Sequence, residues 1–476
     1  MAALIAKSAS IMATHPEREQ AAEQAKQLYA WAAQACSRPL PEPVRRRAAT
    51  ILADDIGAIT VGSREPQVLR AREAFARQRT SAIEATVFAP GAPRWDRAAA
   101  ACANGMAIAW AELDEGFRNA ACHAGAYSLP ALMAEAEACG ASVDQILRAV
   151  AVAYELTTRF AIAFRFPGFY VHPHAVYACL GAAAAVSLVR GHDAKTLQDT
   201  VTGAASMSFA GPFDTAVEGS LVRNAWTAAG AWVGMRAADW AEAGIAGGIH
   251  TPYDVFVTNF RTRCDPNALS AGLGEQWSVM NGYHKIYACC NYAHAAVEAS
   301  LQLRAQLGSA SVDDIEAIRV EAGPGGVALN ALDPPTVLSA KFSIPHAAAA
   351  TAVMGTGGAA AFTEAALHDE RVARLRHRVT LAAYEGAGPP PNDRPAQVTW
   401  SLRDGRTLSA FVKSPRGGAD QPFDEPTLLA KLEDNTRAVL PAARSVLEPI
   451  IAGDGQALAR SWRDTVSAIA IGAIAS

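Results

Sequence analysis

The residues between 112 and 130 read E-L-D-E-G-F-R-N-A-A-C-H-A-G-A-Y-S-L-P. Three carboxylates, Glu112, Asp114 and Glu115, precede Arg118 and then His123, between two alanine-rich apolar stretches. Histidine titrates nearest neutrality, and a neighbouring carboxylate can orient or charge it, so this spacing suits proton transfer. A solvated loop joining two helices, with the carboxylates as surface charge, is the plain alternative.

Four more polar islands interrupt apolar sequence. In Phe169-Tyr-Val-His172-Pro-His174, His172 stands just before an apolar helical stretch over 175–190. A helix N-terminus offers free N–H groups and partial positive charge to an anion. A capping or packing histidine is the alternative. Arg223 opens the apolar helical stretch 225–238, where its guanidinium fork could hold a carboxylate or lie at the surface. His284-Lys285-Ile-Tyr-Ala-Cys289-Cys290 runs on to His294. Adjacent cysteines are poor joint ligands for one tetrahedral ion, and no CxxC pair exists, so no metal is expected. Lys285 and His294 read instead as polar groups at a helix start. Last, Lys341-Phe-Ser-Ile-Pro-His346 forms a polar knot ahead of an alanine-rich helix, without a Gly-x-Ser-x-Gly elbow.

Histidines, carboxylates and cations without a cofactor motif suit one reaction class. This is proton abstraction beside a carboxylate, followed by elimination, decarboxylation or reprotonation. Cations hold the substrate's carboxylates and blunt the charge building on carbon.

The elements that must position these groups are mainly helices. The chain of 476 residues suits two to four domains, and alanine supplies much of its apolar content while aromatics reach only 7%. Such small side chains favour closely packed helices. A net charge of −4 gives no electrostatic case for nucleic acid or an anionic membrane. No apolar run clearly reaches the length of a membrane span. The eight scattered cysteines suit buried thiols in a reducing compartment, and the cytoplasm is the expected location.

Residues 1–20 read as a disordered lead-in, and 21–275 as the first part of an all-helical domain. Within it, Gly140 ends one helix and Ser142 caps the next, and Gly191 and Asp193 repeat the arrangement. Residues 276–412 read as an α+β unit. Residues 312–322 partly alternate as a strand, and 396–412 form a hairpin turning at Asp404-Gly405. Residues 413–476 return to helices, 426–439 and 446–469, that rejoin the first domain. Gly355-Thr-Gly-Gly lies inside an apolar helical pattern (about 346–362) and is no phosphate loop.

The order and spacing of these islands resemble the MmgE/PrpD family of 2-methylcitrate dehydratases, cis-aconitate decarboxylases and iminodisuccinate epimerases. The resemblance runs from about residue 25 to 439. Its carriers are Glu112-Leu-Asp-Glu-Gly with His123-Ala-Gly, His172-Pro-His-Ala-Val, Gly219-Ser-Leu-Val-Arg223, Lys285-Ile-Tyr-Ala-Cys-Cys with His294, Lys341-Phe-Ser-Ile-Pro and the Asp404-Gly405 hairpin. It implies a mainly α protein: a large all-helical domain built from both chain ends, plus a smaller α+β lid, with the active site between. It also implies a homodimer that needs no organic cofactor and takes a small carboxylate substrate.

Carried over residue by residue, the resemblance places Asp114 and Glu115 beside the substrate. His123 and His172 become base and acid in either order, and Arg223 and Lys285 bind carboxylates. Glu112, His294 and His346 complete the set expected to contact substrate. Three positions depart from the common pattern: Phe117 where histidine is frequent, Cys290 where some members have histidine, and His346 where tyrosine is common. The expected activity is hydro-lyase action on a 2-methylcitrate-like di- or tricarboxylate. Decarboxylation or epimerisation in the same cleft is the alternative, and a helical binding protein that has lost its chemistry is a third reading.

Overall fold

The structure, a computed structural model, describes residues 16–474. Most of the expected lead-in lies outside the described residues. Residues 16–20 are not a lead-in: they begin the helix Pro16–Cys36, where Arg18 forks onto Asp254 at 2.7 and 2.8 Å.

The helical body is built around Pro173–Val189, which is buried on every side except at its end. A helix apolar all round can only be a core helix. Ala124–Cys139, Val143–Ala163, Ala194–Ala205 and Ala225–Glu242 surround it. Glycine and alanine set the separation: a Cβ on Gly230 would lie 2.5 Å from the Ala178 Cβ, and one on Gly234 2.4 Å from the Ala182 Cβ. These two helices therefore touch backbone to backbone. The hairpin signals hold as read. Gly140 and Gly191 take φ of 74° and 72°, Ser142 closes a capping box with Gln145, and Asp193 accepts from the Thr196 amide at 2.8 Å.

The α+β part holds a four-stranded sheet in the order Thr407–Val412, Ala396–Leu402, Ile315–Ala322, Val379–Ala383. The first three are antiparallel neighbours and the last pairs in parallel. Alternation puts Ile318, Val320, Val398 and Trp400 on one face, where they share a core with Val297 and Leu303 of the helix His294–Gln306 and with Ala347 to Ala350 of Ile344–Met354. The turn forms at Gly405 with φ 84°, and Asp404 accepts from the Arg406 amide at 3.0 Å.

After the sheet the chain returns to the helical body. Leu429, Leu432, Ile450, Trp462 and Val466 share one core with Leu52, Ile56, Leu129 and Met133. Two sequence expectations are corrected here. The apolar run over 346–362 is not one helix, because Gly355 turns left-handed (φ 73°) and caps Ile344–Met354. The stretch 446–469 breaks into Ala443–Ala452, Gly455–Ala459 and Trp462–Ile469, the first break lying at Gly453 (φ 85°). No helix among the described residues is long and apolar enough to cross a membrane.

One small feature positions the chemistry. Gly116–Phe117 pairs antiparallel with Gly282–Tyr283, bringing the segment that carries Lys285 against the acidic loop.

Candidate active site

Glu112, Asp114 and Glu115 are not a solvated loop. All three are buried, at 2%, 0% and 1% exposure, and Glu112 holds a left-handed backbone (φ 54°) that disfavours any residue with a Cβ. The loop is braced from behind: Lys341 Nζ donates to the Trp110 carbonyl at 2.8 Å and Lys431 Nζ to the Leu113 carbonyl at 2.8 Å.

Each carboxylate meets a different partner. Arg223 Nη2 lies 2.6 Å from Glu112 Oε1, and Lys285 Nζ sits between Glu112 Oε2 (3.3 Å) and Asp114 Oδ1 (3.2 Å). Burial alone raises the Glu112 and Asp114 carboxyls, but these cations outweigh it and hold both below the usual carboxylate range. Glu115 has no such cation. It accepts from the Gly125 amide (2.7 Å) and the Tyr154 hydroxyl (2.9 Å), and burial pushes it up to about 7. Asp55, which accepts from the Glu115 amide at 3.1 Å, is held well above its ordinary value by burial and then by Glu115.

His123 sits at the head of Ala124–Cys139. Its Nδ1 is 2.7 Å from the Glu115 carbonyl and 2.8 Å from Asp114 Oδ2. The ring N–H is aimed at the carbonyl, so Asp114 acts on the ring as a charge alongside it. That carbonyl fixes the proton on Nδ1 and leaves Nε2 as the acceptor. Among the described residues, none hydrogen-bonds Nε2, and the ring lines the cleft.

His172 is the N-cap of Pro173–Val189. The His174 amide meets its Nδ1 at 3.2 Å and Arg223 Nε meets its Nε2 at 3.3 Å. A neutral ring accepts from one of these donors and sets its own N–H against the other, whereas an imidazolium would set an N–H against both, so the ring favours the neutral form. Burial first, and the Arg223 charge next, hold it well below the ordinary histidine value. His174 stands edge-on to both rings, with centroids 4.6 Å from His172 and 5.0 Å from His123, and its Nδ1 meets the Tyr127 hydroxyl at 2.9 Å.

The cleft is lined by Glu112, His123, His172 and Arg223 on the helical side, and by Tyr283, Asn291, Tyr292 and Arg394 opposite. It holds about 60 Å³ and opens past Phe169, Phe213 and Tyr292 into a vestibule of about 360 Å³. A separate cavity of about 320 Å³ lies between Glu42–Gly62 and Glu425–Thr436, but aliphatic side chains dominate it and no histidine lines it.

The structure thus gathers Glu112, Asp114, Glu115, His123, His172, Arg223 and Lys285. Lys285 stands behind the carboxylates rather than on the cleft wall. It does not bring two of the expected residues there. His294 is buried with Nε2 on the Cys289 carbonyl at 3.1 Å, and His346 has Nε2 on the Ala361 carbonyl at 3.0 Å and Nδ1 beside Arg376 at 3.2 Å. Both fasten backbone. Phe117 and Cys290 do line the cleft. Sequence reading passed over Asp55, Tyr154, Tyr283, Asn291 and Arg394. Only Asp55 left a signal: Asp54-Asp55 interrupts the apolar run 51–59.

Residues 26–255 match the MmgE/PrpD N-terminal domain and residues 287–452 the MmgE/PrpD C-terminal domain. The chain is also similar to the cis-aconitate decarboxylase-like protein oryM of Aspergillus oryzae. It is 25% identical over 448 residues, covering 89% of this chain and 91% of that protein. The chain belongs to the MmgE/PrpD family.

Proposed function

We propose that the protein is a cofactor-independent lyase that removes a proton beside a carboxylate of a small di- or tricarboxylate. The observation that carries this reading is the setting of His123. Its Nδ1–H is fixed by the Glu115 carbonyl, Nε2 is left as the cleft-side acceptor, and the Asp114 carboxylate lies ready to balance the imidazolium.

In the dehydration reading, His123 Nε2 takes the proton from the carbon next to a carboxylate. The electron pair forms the C=C bond as the C–O bond to the neighbouring hydroxyl breaks, and the hydroxyl departs as water with a second proton. Tyr283 is the candidate donor because it lines the same cleft with its ring 6.4 Å from that of His123; burial pushes its phenol up to about 12, which keeps the proton in place until the leaving oxygen gains charge. His172, neutral and placed beside Arg223, serves as a polar wall group rather than as the acid.

Decarboxylation of a cis-aconitate-type substrate is the second reading, favoured by the name of the similar Aspergillus protein. There the C–C bond to CO₂ breaks and protonated His123 returns a proton to carbon. Epimerisation needs only removal and return of the same proton. A homodimer in the cytoplasm fits the family reading, and sedimentation of the purified protein tests the dimer.

Purified protein is offered 2-methylcitrate, citrate, cis-aconitate and iminodisuccinate. Unsaturated acid is followed by absorbance, CO₂ by release and inversion by circular dichroism. Turnover of one substrate that vanishes in His123→Ala supports the reading. No turnover of any, with His123→Ala binding these acids as wild type does, sinks it.

A further inference from the structure

The cations expected to hold substrate carboxylates are already engaged. Arg223 uses Nη1 on the Ala109 carbonyl (3.1 Å) and Asn224 Oδ1 (2.9 Å), Nη2 against Glu112 (2.6 Å) and Nε on His172 (3.3 Å). Lys285 is held by Glu112 and Asp114 and lies entirely out of water. Two buried cations thus face two buried carboxylates before any ligand arrives, and the charge of each is balanced within the site.

Arg394 differs. It comes from the Pro-rich loop 386–395 of the α+β part, and is 6% exposed. Its Nε donates to its neighbour Asp393 at 3.1 Å, and its Nη1 to Asn291 Oδ1. Among the described residues, none accepts from Nη2. The guanidinium lies over the Tyr292 ring at 4.4 Å and near the Tyr283 ring at 5.9 Å, which fixes its plane. Asp393 does not neutralise it alone, because Arg118 also takes Asp393 Oδ1 at 3.4 Å. The charged side chains lining the vestibule are Arg118, Arg165 and Arg394 against Asp393, a formal excess of two positive charges. Among the described residues, Arg165 meets no carboxylate; it donates to the Asn119 carbonyl at 2.7 Å.

Arg394 also stands at the junction, lining both the inner cleft and the vestibule. The inner cleft, at about 60 Å³, admits the reacting end of a molecule, and the rest must lie in the vestibule. We propose that Arg394 grips a second carboxylate of the substrate, distal to the carbon facing His123, and that Asn291 and Arg118 position it. The substrate class is then an acid with at least two carboxylates spanning the cleft mouth, and a monocarboxylate is a poor ligand. This deepens the lyase reading and depends on it for the identity of the reacting end.

The test uses tricarballylate, a saturated tricarboxylate with neither a hydroxyl to eliminate nor a double bond, so binding is read apart from turnover. Titration calorimetry on the full chain is expected to show binding that Arg394→Ala weakens by about 10- to 100-fold, the range of a lost charge-assisted hydrogen bond. Arg394→Lys should fall between, and added methylguanidinium should restore part of the loss in Arg394→Ala, which a merely structural role would not allow. The proposal is overturned if wild type does not bind tricarballylate, or if Arg394→Ala binds within twofold of wild type. The two readings fail separately. Arg394-dependent binding without turnover of any acid removes the lyase reading and keeps the anion grip. Turnover with an unchanged KM in Arg394→Ala does the reverse.

Discussion

Arg223 and Glu112 meet at 2.6 Å with side-chain exposures of 1% and 2%, between the helical body and the acidic loop. Such a pair is strongly attractive only because each partner compensates a charge that water no longer solvates. Removing one leaves the other stranded. Glu112→Ala is therefore expected to lower stability by about 3–5 kcal/mol, measured by chemical denaturation. Part of that loss should reappear as stability in Glu112→Ala/Arg223→Met, where no stranded cation remains. If the single variant is as stable as wild type, the pair does not hold the loop.

Asp114 lies beside His123 without receiving its N–H, so its part is charge rather than orientation. Asp114→Asn keeps shape and leaves the Glu115 carbonyl to fix the tautomer. A loss in kcat of about 10²- to 10⁴-fold is expected, with KM little changed. Steady-state kinetics on the substrate found in the panel read this directly. A variant that loses KM and keeps kcat would instead make Asp114 a binding group.

Glu115 gives the fold a pH dependence of defined sign. Its carboxyl, ordinarily near 4.5, is pushed up to about 7 by burial, so between these values the folded chain binds a proton that the unfolded chain has released. Its contribution is complete below about 4.5 and is lost as pH rises through about 7. Asp55, raised for the same reason, acts in the same direction. Denaturant titrations from pH 4.5 to 8 should show stability declining relative to Glu115→Gln, which cannot ionise. Parallel curves for the two proteins would mean that Glu115 is charged throughout.

Much of this organisation is local and therefore legible in sequence. Gly140 with Ser142, Gly191 with Asp193, and Asp404 with Gly405 each define a turn or cap by their own backbone and side-chain chemistry. Polar residues stranded in alanine-rich sequence likewise pointed to His123, His172 and the acidic loop. That cue misled at His294 and His346, because a buried histidine bonded to a backbone carbonyl looks the same in sequence as one facing substrate. Arg394 was illegible for the opposite reason. Asn-Asp-Arg-Pro reads as a surface turn, and only the docking of that turn onto Tyr283 and Tyr292 takes the guanidinium out of water. Lys285 was legible as important but not as a counter-ion, since its partners lie more than 170 residues earlier in the chain.

Gly125 ties the proton-holding pair to the segment that carries His123. Its amide donates to Glu115 Oε1, and a Cβ there would lie 2.5 Å from Asp55 Oδ2 and 2.9 Å from Glu115 Oε1. Both distances are shorter than contact allows, so Gly125→Ala must displace one carboxyl group or the start of the Ala124–Cys139 helix. Overpacking of this kind costs about 1–3 kcal/mol. The displaced Glu115 carries the carbonyl that fixes the His123 tautomer, so activity should fall further than stability alone accounts for. Thermal melting and kcat on the same preparation separate the two effects. Full activity in a destabilised Gly125→Ala would show that the Glu115 backbone stays in place when its side chain moves, and would uncouple the buried acids from His123.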